Sequence, residues 1–376
     1  MKMTTDKLYY REPYTKEIEA AVTAVTDNGF ILDRSIFYPE CGGQRGDSGY
    51  FGPIRIITTV KDREGNPIHV TDGPLPVVGE KAILRLDWNE RFFGMQEHTA
   101  QHLLSSVLYN SFGIGTVAVH HGSDEITIET DRSCIARDTL LLVEEEAGRL
   151  IGENRKVWIE DMSREKAESL NLRRTIKVDD AVVKVVFIEG QDAVPCGGVH
   201  LSTLGQIGEL VFVGEDTIRS HSRTVWRVGK KAVALRRENA SAVAETGALL
   251  SSDASTLTGA VNHLLEENRD LRHRVKALEK TLAENEFLSH AESPVVYSTE
   301  YDLDSLIEKA CEEKERKIFI TGPGNRFMFV GRKDDFNALK ASLSLRGGGR
   351  DPLFRGTFTQ SSDEIVSLAK DLLGSL

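Results

Sequence analysis

Residues 17–25, 54–60 and 84–88 carry apolar side chains in the short, β-branched or alternating runs expected of strands. A glycine-dense stretch at 39–49 separates the first two runs and predicts a turn. The third leads into a helix over the residues that follow, carrying His98 and His102. Further on, 126–129 alternates like a half-buried strand and 138–154 has the spacing of an amphipathic helix. The apolar run 182–188 reads as a buried strand, and 194–200 as a loop. Near residue 235 the pattern changes: strand formers and glycine thin out, and Ala, Leu, Glu, Arg and Lys dominate. Heptads can be written there, with Ala254, Val261, Asn268, Val275 and Leu282 at a and Leu257, Leu264, Leu271 and Leu278 at d. This predicts a coiled coil of about four heptads, with Asn268 as the polar residue that selects a register and a dimer. A helical hairpin made with residues 235–255 explains the same pattern, and the sequence leaves both open. Beyond 295, strands at 317–320 and 327–330 and helices at 336–345 and 362–373 flank a glycine-rich element at 346–356.

The order of these elements predicts an α+β protein in four parts. Residues 1–90 form a β-rich, barrel-like subdomain, 91–234 an αβ domain, 235–292 a helical coiled-coil linker and 293–376 a small C-terminal α/β domain.

The 376 residues suit several domains, and their formal net charge of −11 does not advertise nucleic-acid binding. Basic residues cluster locally instead: Arg223, Arg227, Lys230, Lys231, Arg236 and Arg237 form one group, and Arg346, Arg350 and Arg355 stand among glycines. The four cysteines, Cys41, Cys134, Cys196 and Cys311, are widely spaced and form no disulfide framework. The first twenty residues are polar, and no stretch has the length of a membrane span. A reduced, cytoplasmic protein without membrane contact is expected.

Two pairs of residues carry chemistry. His98 and His102, four apart on a helix, share a face and can chelate one ion. Cys196 and His200 are four apart on a loop whose glycines let both side chains turn inward. Either pair alone is weak. Together, three imidazoles and a thiolate make a complete tetrahedral set for one zinc per chain. Such a closed set suits a structural ion. It suits a catalytic one if a ligand such as Cys196 is labile, or if the ion orients the substrate.

The segments His98-Thr99-Ala100-Gln101-His102-Leu103-Leu104 and Cys196-Gly197-Gly198-Val199-His200 resemble the zinc motif pair of the alanyl-tRNA synthetase editing domain and of the free-standing AlaX proteins; threonyl-tRNA synthetase editing domains share the pair. Phe37-Tyr38-Pro39-Glu40-Cys41-Gly42-Gly43-Gln44-Arg45-Gly46-Asp47-Ser48-Gly49 is similar to the glycine loop of the longer AlaX forms. His120-His121-Gly122-Ser123 resembles a pocket-lining segment in which the synthetase usually has glutamine where His120 falls. Residues 346–356 resemble the glycine-rich part of the domain that follows editing in the synthetase, and that domain also occurs in DHH-type phosphoesterases. The resemblance covers nearly the whole chain and includes no aminoacylation domain. It implies a zinc-dependent deacylase that hydrolyses mischarged Ser-tRNA(Ala), and Gly-tRNA(Ala) as a further substrate. His98, His102, Cys196 and His200 would hold the zinc. Gln44, His120 and Cys196 would be catalytic, Gly42, Gly43 and Gln44 would contact the substrate, and Arg346, Arg350 and Arg355 would bind tRNA. Three other readings compete: a zinc-containing tRNA-binding module without catalysis, an editor of threonyl-tRNA, and a DHH-like phosphoesterase. The last lacks its Asp-His-His triplet here.

Overall fold

The computed structural model describes residues 4–122, 124–176, 181–313 and 315–375. Its nine α-helices and five sheets among the described residues make a mixed α+β protein. The chain divides into two compact units, Met1–Ala242 and Val243–Leu376.

The first unit opens with a seven-stranded sheet. In spatial order its strands are Ile54–Ile56, Gly49–Phe51, Lys81–Leu86, Glu17–Val25, Gly29–Leu32, Pro67–Val70 and Thr58–Lys61. Glu17–Val25 serves both halves. Its first five residues pair with Lys81–Leu86, and from Val22 onward it pairs with Gly29–Leu32, with an irregularity between Val22 and Ala24. Such a bulge bends a strand and lets the sheet turn a corner. Phe30, Leu32, Phe37, Phe51, Ile56 and Leu84 fill the core beneath it. The barrel-like expectation needs correction. The edge strands Ile54–Ile56 and Thr58–Lys61 are consecutive in the chain and do not pair with each other, so no ring of hydrogen bonds closes. Residues 54–60, expected as one strand, divide at Ile57, whose N–H donates to the Val70 carbonyl at 2.9 Å and so commits to the second half.

The helix Trp88–Phe112 follows. Residues 97–108 are buried on every side, and Leu103, Leu104, Val107 and Leu108 pack with Ile126, Ile128, Trp226, Val186 and Val194 in the largest core. Each fully buried Leu or Ile of this kind contributes roughly 1.5–3 kcal/mol before entropy is counted. The helix stops at Gly113, in the left-handed region at φ 63°. Around it stand two antiparallel sheets. One orders Thr116–His121, Ile126–Thr130, His221–Val228 and Leu210–Ile218; the other orders Val157–Ser163, Val182–Ile188 and Asp192–Pro195. The second sheet ends at the loop holding Cys196 and His200.

In the second unit the long helix Leu257–Ser289 precedes a five-stranded sheet ordered Val295–Ser298, Ile318–Gly322, Arg326–Val330, Leu353–Thr357 and Arg346–Arg350. Phe319, Phe327, Phe329, Phe336 and Phe354 fill its core against the helices Lys333–Ser342 and Ser362–Ser375. The glycine-rich element is a hairpin, with Gly347 opposite Gly356 and Gly349 opposite Phe354. The helical stretch from 235 is not continuous. Gly229–Leu249 ends before Leu257–Ser289 begins. In the break, the Asp253 carboxylate accepts the N–H groups of Ser255 at 2.9 Å and Thr256 at 3.0 Å. No helix among the described residues is long and apolar enough to cross a membrane.

Candidate metal centre

The central helix and the loop after Asp192–Pro195 bring His98, His102, Cys196 and His200 together. One ligand atom from each lies within 4.8 Å of all the others. The imidazole centroids of His98 and His200 are 4.3 Å apart, and that of His102 is 5.0 Å from both. The Cys196 Sγ is 3.3 Å from His98 Nε2. All three histidines are buried, and among the described residues neither nitrogen of His102 nor Nε2 of His200 has a hydrogen-bond partner. A buried imidazole nitrogen without a partner is costly in a finished protein. A central divalent ion removes that cost at His200 Nε2 and at one nitrogen of His102, and the donor set suits zinc.

The surroundings fix which nitrogen faces the centre. His98 Nδ1 donates to Gln44 Oε1 at 2.9 Å, leaving the Nε2 lone pair toward Cys196. The same Gln44 oxygen accepts the Val199 N–H at 3.2 Å, which ties the ligand loop to the glycine loop. His200 Nδ1 lies 3.4 Å from Thr99 Oγ1, itself held by the Leu201 N–H at 3.1 Å. Such partners orient the ligands of a metal and set their tautomers. Burial holds His98 and His102 well below the usual imidazole range and His200 down to about 3, so all three are neutral at pH 7. Burial also pushes the Cys196 thiol up to about 11. The thiol therefore keeps its proton until an incoming divalent ion displaces it to solvent.

The loop's glycines have separate physical reasons. Gly42 and Gly43 have φ of 61° and 89°, and Cys41 and Gln44 exchange two backbone hydrogen bonds of 3.1 Å across them. This is a two-residue turn with both central residues left-handed, which glycine adopts without strain. It delivers Gln44 to the centre. At Gly198 the reason is space. A Cβ there would sit 2.1 Å from His98 Cε1 and 2.4 Å from its Nδ1.

No family model matches the sequence. Aligned with the alanyl-tRNA editing protein AlaX-M of Pyrococcus horikoshii, the chain is 30% identical over 215 residues, which is 55% of this chain and 89% of that protein. The chain belongs to the AlaX alanyl-tRNA editing proteins. AlaX-L of the same organism is 26% identical over 407 residues and covers 98% of both chains. The alanine–tRNA ligase of Pyrococcus abyssi is 27% identical over 99% of this chain, which spans 43% of the ligase.

In this AlaX chain the expected site residues occupy different places. Gln44 is buried against His98, whereas Gly42 and Gly43 form the turn and have open space where a side chain would be. His120 and His121 alternate on the strand Thr116–His121. His120 is exposed, and the buried His121 sets its ring 5.3 Å from that of His98. Ser123 of the same segment lies outside the described residues. Arg346 and Arg350 are exposed on the edge strand of the second unit's sheet, and Arg355 pairs with Asp304 at 2.7 Å.

Sequence reasoning did not single out His121, Glu97 or Thr99. Among the described residues Glu97 Oε1 has no hydrogen-bond partner, and neither ring nitrogen of His121 has one of normal geometry. Burial pushes the Glu97 carboxyl up to about 8 and the His121 imidazole down to about 4. Both line a cavity of about 200 Å³ together with Gln44, Arg45 and Asp47. On the side of Cys196 a larger cavity of about 440 Å³ is lined by Tyr10, Cys41, Lys61, Arg174 and Lys184. The Tyr38 hydroxyl closes the seam between the two loops, donating to the carbonyls of Cys41 and Gly197, each at 3.2 Å.

Proposed function

We propose that this AlaX chain is a zinc-dependent deacylase that hydrolyses mischarged Ser-tRNA(Ala), with Gly-tRNA(Ala) as a second substrate. The observation that carries this reading is the set of four donors, three buried histidines and a half-buried cysteine, oriented by Gln44 and Thr99, inside a member of an alanyl-tRNA editing family. Water attacks the ester carbonyl carbon, the bond to the terminal ribose oxygen breaks, and the products are a free amino acid and a tRNA hydroxyl. His98, His102, Cys196 and His200 would hold the zinc, which would supply Lewis-acid chemistry when bound.

The chain's own groups do the rest. The 440 Å³ cavity carries Lys61, Arg174 and Lys184, cations suited to the phosphates of a tRNA 3′ end. Gln44 holds the His98 ring in register. In the smaller cavity, Glu97 and His121 offer partners to the serine hydroxyl. Alanine and glycine both leave those partners unmet, so both esters should be cleaved more slowly than the seryl ester, because a site built to hydrogen-bond a hydroxyl discriminates against a substrate that lacks one. Burial keeps Glu97 protonated at pH 7, so it donates, and keeps His121 neutral, so it can accept. His120, on the open side of its strand, contacts the incoming nucleotide. Arg346, Arg350 and Arg355 grip the tRNA body.

The four-donor closure also favours a second reading, a tRNA-binding module whose zinc is structural. One panel separates the two. The zinc-loaded protein is mixed with Ser-, Gly- and Ala-tRNA(Ala) under single-turnover conditions. Deacylation is expected fastest for Ser-tRNA(Ala), with Ala-tRNA(Ala) spared. Binding without any loss of the seryl ester would leave only the non-catalytic module.

A further inference from the structure

The three cations lining the cavity beside Cys196 are not equivalent. Lys184 is already engaged: its ammonium donates to both oxygens of Asp161, at 2.7 and 2.9 Å, and lies 4.3 Å from the centre of the Tyr10 ring. Lys61 is exposed at the end of its strand, where an ammonium on a long stem stays hydrated. Arg174 differs from both. It is half-buried, and among the described residues its guanidinium has neither a hydrogen bond nor an ion pair. Burial and the neighbouring Arg173 hold it below the usual arginine range, yet a guanidinium stays charged at pH 7. A partly desolvated charge without a partner is costly, so its place on a cavity wall points to an anion that arrives from outside.

The preceding residue shows how Arg174 is held. The Arg173 and Asp192 side chains are only 6% and 3% exposed, and the guanidinium donates to both carboxylate oxygens at 2.9 to 3.1 Å. The Arg173 N–H donates to the Ala193 carbonyl at 3.1 Å. Asp192–Pro195 is the strand that runs into Cys196. One buried pair thus fastens the backbone beside Arg174 to the strand that delivers a candidate metal ligand.

The class of anion follows from the shape of the group and of the wall. A guanidinium fork matches two oxygens of a carboxylate or a phosphodiester. The carboxyl of an esterified amino acid carries no charge, which leaves the phosphodiester. Tyr10, Val182, Val183 and Pro195 add an aromatic and apolar wall suited to the face of a nucleobase. A single-stranded RNA end brings both groups.

We propose that Arg174 is the principal clamp of this cavity and grips the phosphodiester next to the terminal nucleotide of the tRNA. This rests on the deacylase reading and narrows its three cations to one.

The test reads binding as well as hydrolysis. The zinc-loaded full-length protein is titrated with a labelled RNA acceptor-stem hairpin ending in single-stranded CCA, and with the same hairpin lacking those three nucleotides. Zinc content and circular dichroism check that each variant is folded. Arg174→Ala should bind the CCA hairpin at least about tenfold more weakly, the effect of losing one charged, two-pronged contact. It should also flatten the slope of log affinity against log salt by about 0.7, the share of one phosphate on a single strand. Arg174→Lys keeps the charge without the fork, so it should restore the slope and only part of the affinity. On the shortened hairpin wild type and Arg174→Ala should bind alike. Equal binding of the CCA hairpin by wild type and Arg174→Ala overturns the proposal. So does a loss that persists on the shortened hairpin, or a wild type that does not bind the CCA hairpin. Single-turnover hydrolysis of Ser-tRNA(Ala) by the wild type is measured alongside. If the seryl ester survives while Arg174→Ala still weakens binding, the deacylase reading falls and the phosphate clamp stands.

Discussion

His98 is asked to do three things at once, and each leaves a mark on a neighbour. Its Nε2 faces Cys196, its Nδ1 donates to Gln44, and its ring edge fills the space above Gly198. The last is the least forgiving, because the ring cannot retreat without losing the other two. Gly198→Ala puts a methyl 2.1 Å from His98 Cε1, which must displace the imidazole or the ligand loop. The expected outcome is at least a tenfold loss of zinc affinity by competition with a chromophoric chelator, the lower end of what disturbed ligand orientation costs. Gly197→Ala, where nothing lies within 4 Å, should change it little. Equal affinity in the two variants would refute the steric account. The cluster of four candidate ligands was legible in the sequence, because a four-residue spacing places each pair of side chains together. The partners were not. Gln44 acts across 54 positions of chain and Thr99 across 101, and no local pattern reports such contacts. His121 was hidden by a parity problem: in a strand the side that faces inward follows from pairing, and two adjacent histidines give no sign of which one it is.

At the scale of elements, the glycine loop is fastened to the central helix by one buried ion pair. The Arg91 guanidinium binds both Asp47 oxygens, donates to the Ile36 carbonyl and reaches the Pro13 carbonyl at 3.1 Å. Asp47 in turn accepts the Tyr38 N–H. Arg91→Leu keeps the bulk and strands a buried carboxylate, which costs about 3–5 kcal/mol. In a unit of this size that lowers the melting temperature by roughly 10 °C. Calorimetry checks it, and a shift within about 2 °C would mean the pair contributes little. The sequence announced most helices and strands, since length and periodicity decide them. Besides the barrel and the unbroken helix it suggested, it misled in two places. Residues 54–60 are uniformly β-forming, so nothing in their composition marks the corner at Ile57 where the sheet's two ends part. Residues 346–350 are strand despite three glycines, because pairing with Leu353–Thr357 supplies the hydrogen bonds that side-chain propensity does not.

At the scale of the whole molecule, the proposed chemistry and the proposed long-range contact with tRNA draw on different units. All four donors, with Gln44 and Thr99, lie in Met1–Ala242. Arg346 and Arg350 stand exposed in Val243–Leu376, with no ion-pair partner among the described residues. An overall charge of −11 repels RNA at long range, so the proposed contact with tRNA would depend on such local cations. The double variant Arg346→Ala/Arg350→Ala in the full chain should weaken tRNA binding. It should also flatten the slope of log affinity against log salt by about 1.4–1.8, because each phosphate neutralised contributes about 0.7–0.9. Zinc content and hydrolysis of a short aminoacyl ester should be unaffected, since no residue of the metal centre is touched. A chain ending at residue 242 should likewise hold one equivalent of zinc while losing more tRNA affinity than the double variant, having surrendered the whole second unit. If truncation leaves the salt slope unchanged, the tRNA is held by the first unit alone. The cations lining the cavity beside Cys196, Lys61, Arg174 and Lys184, would then carry the full electrostatic contribution.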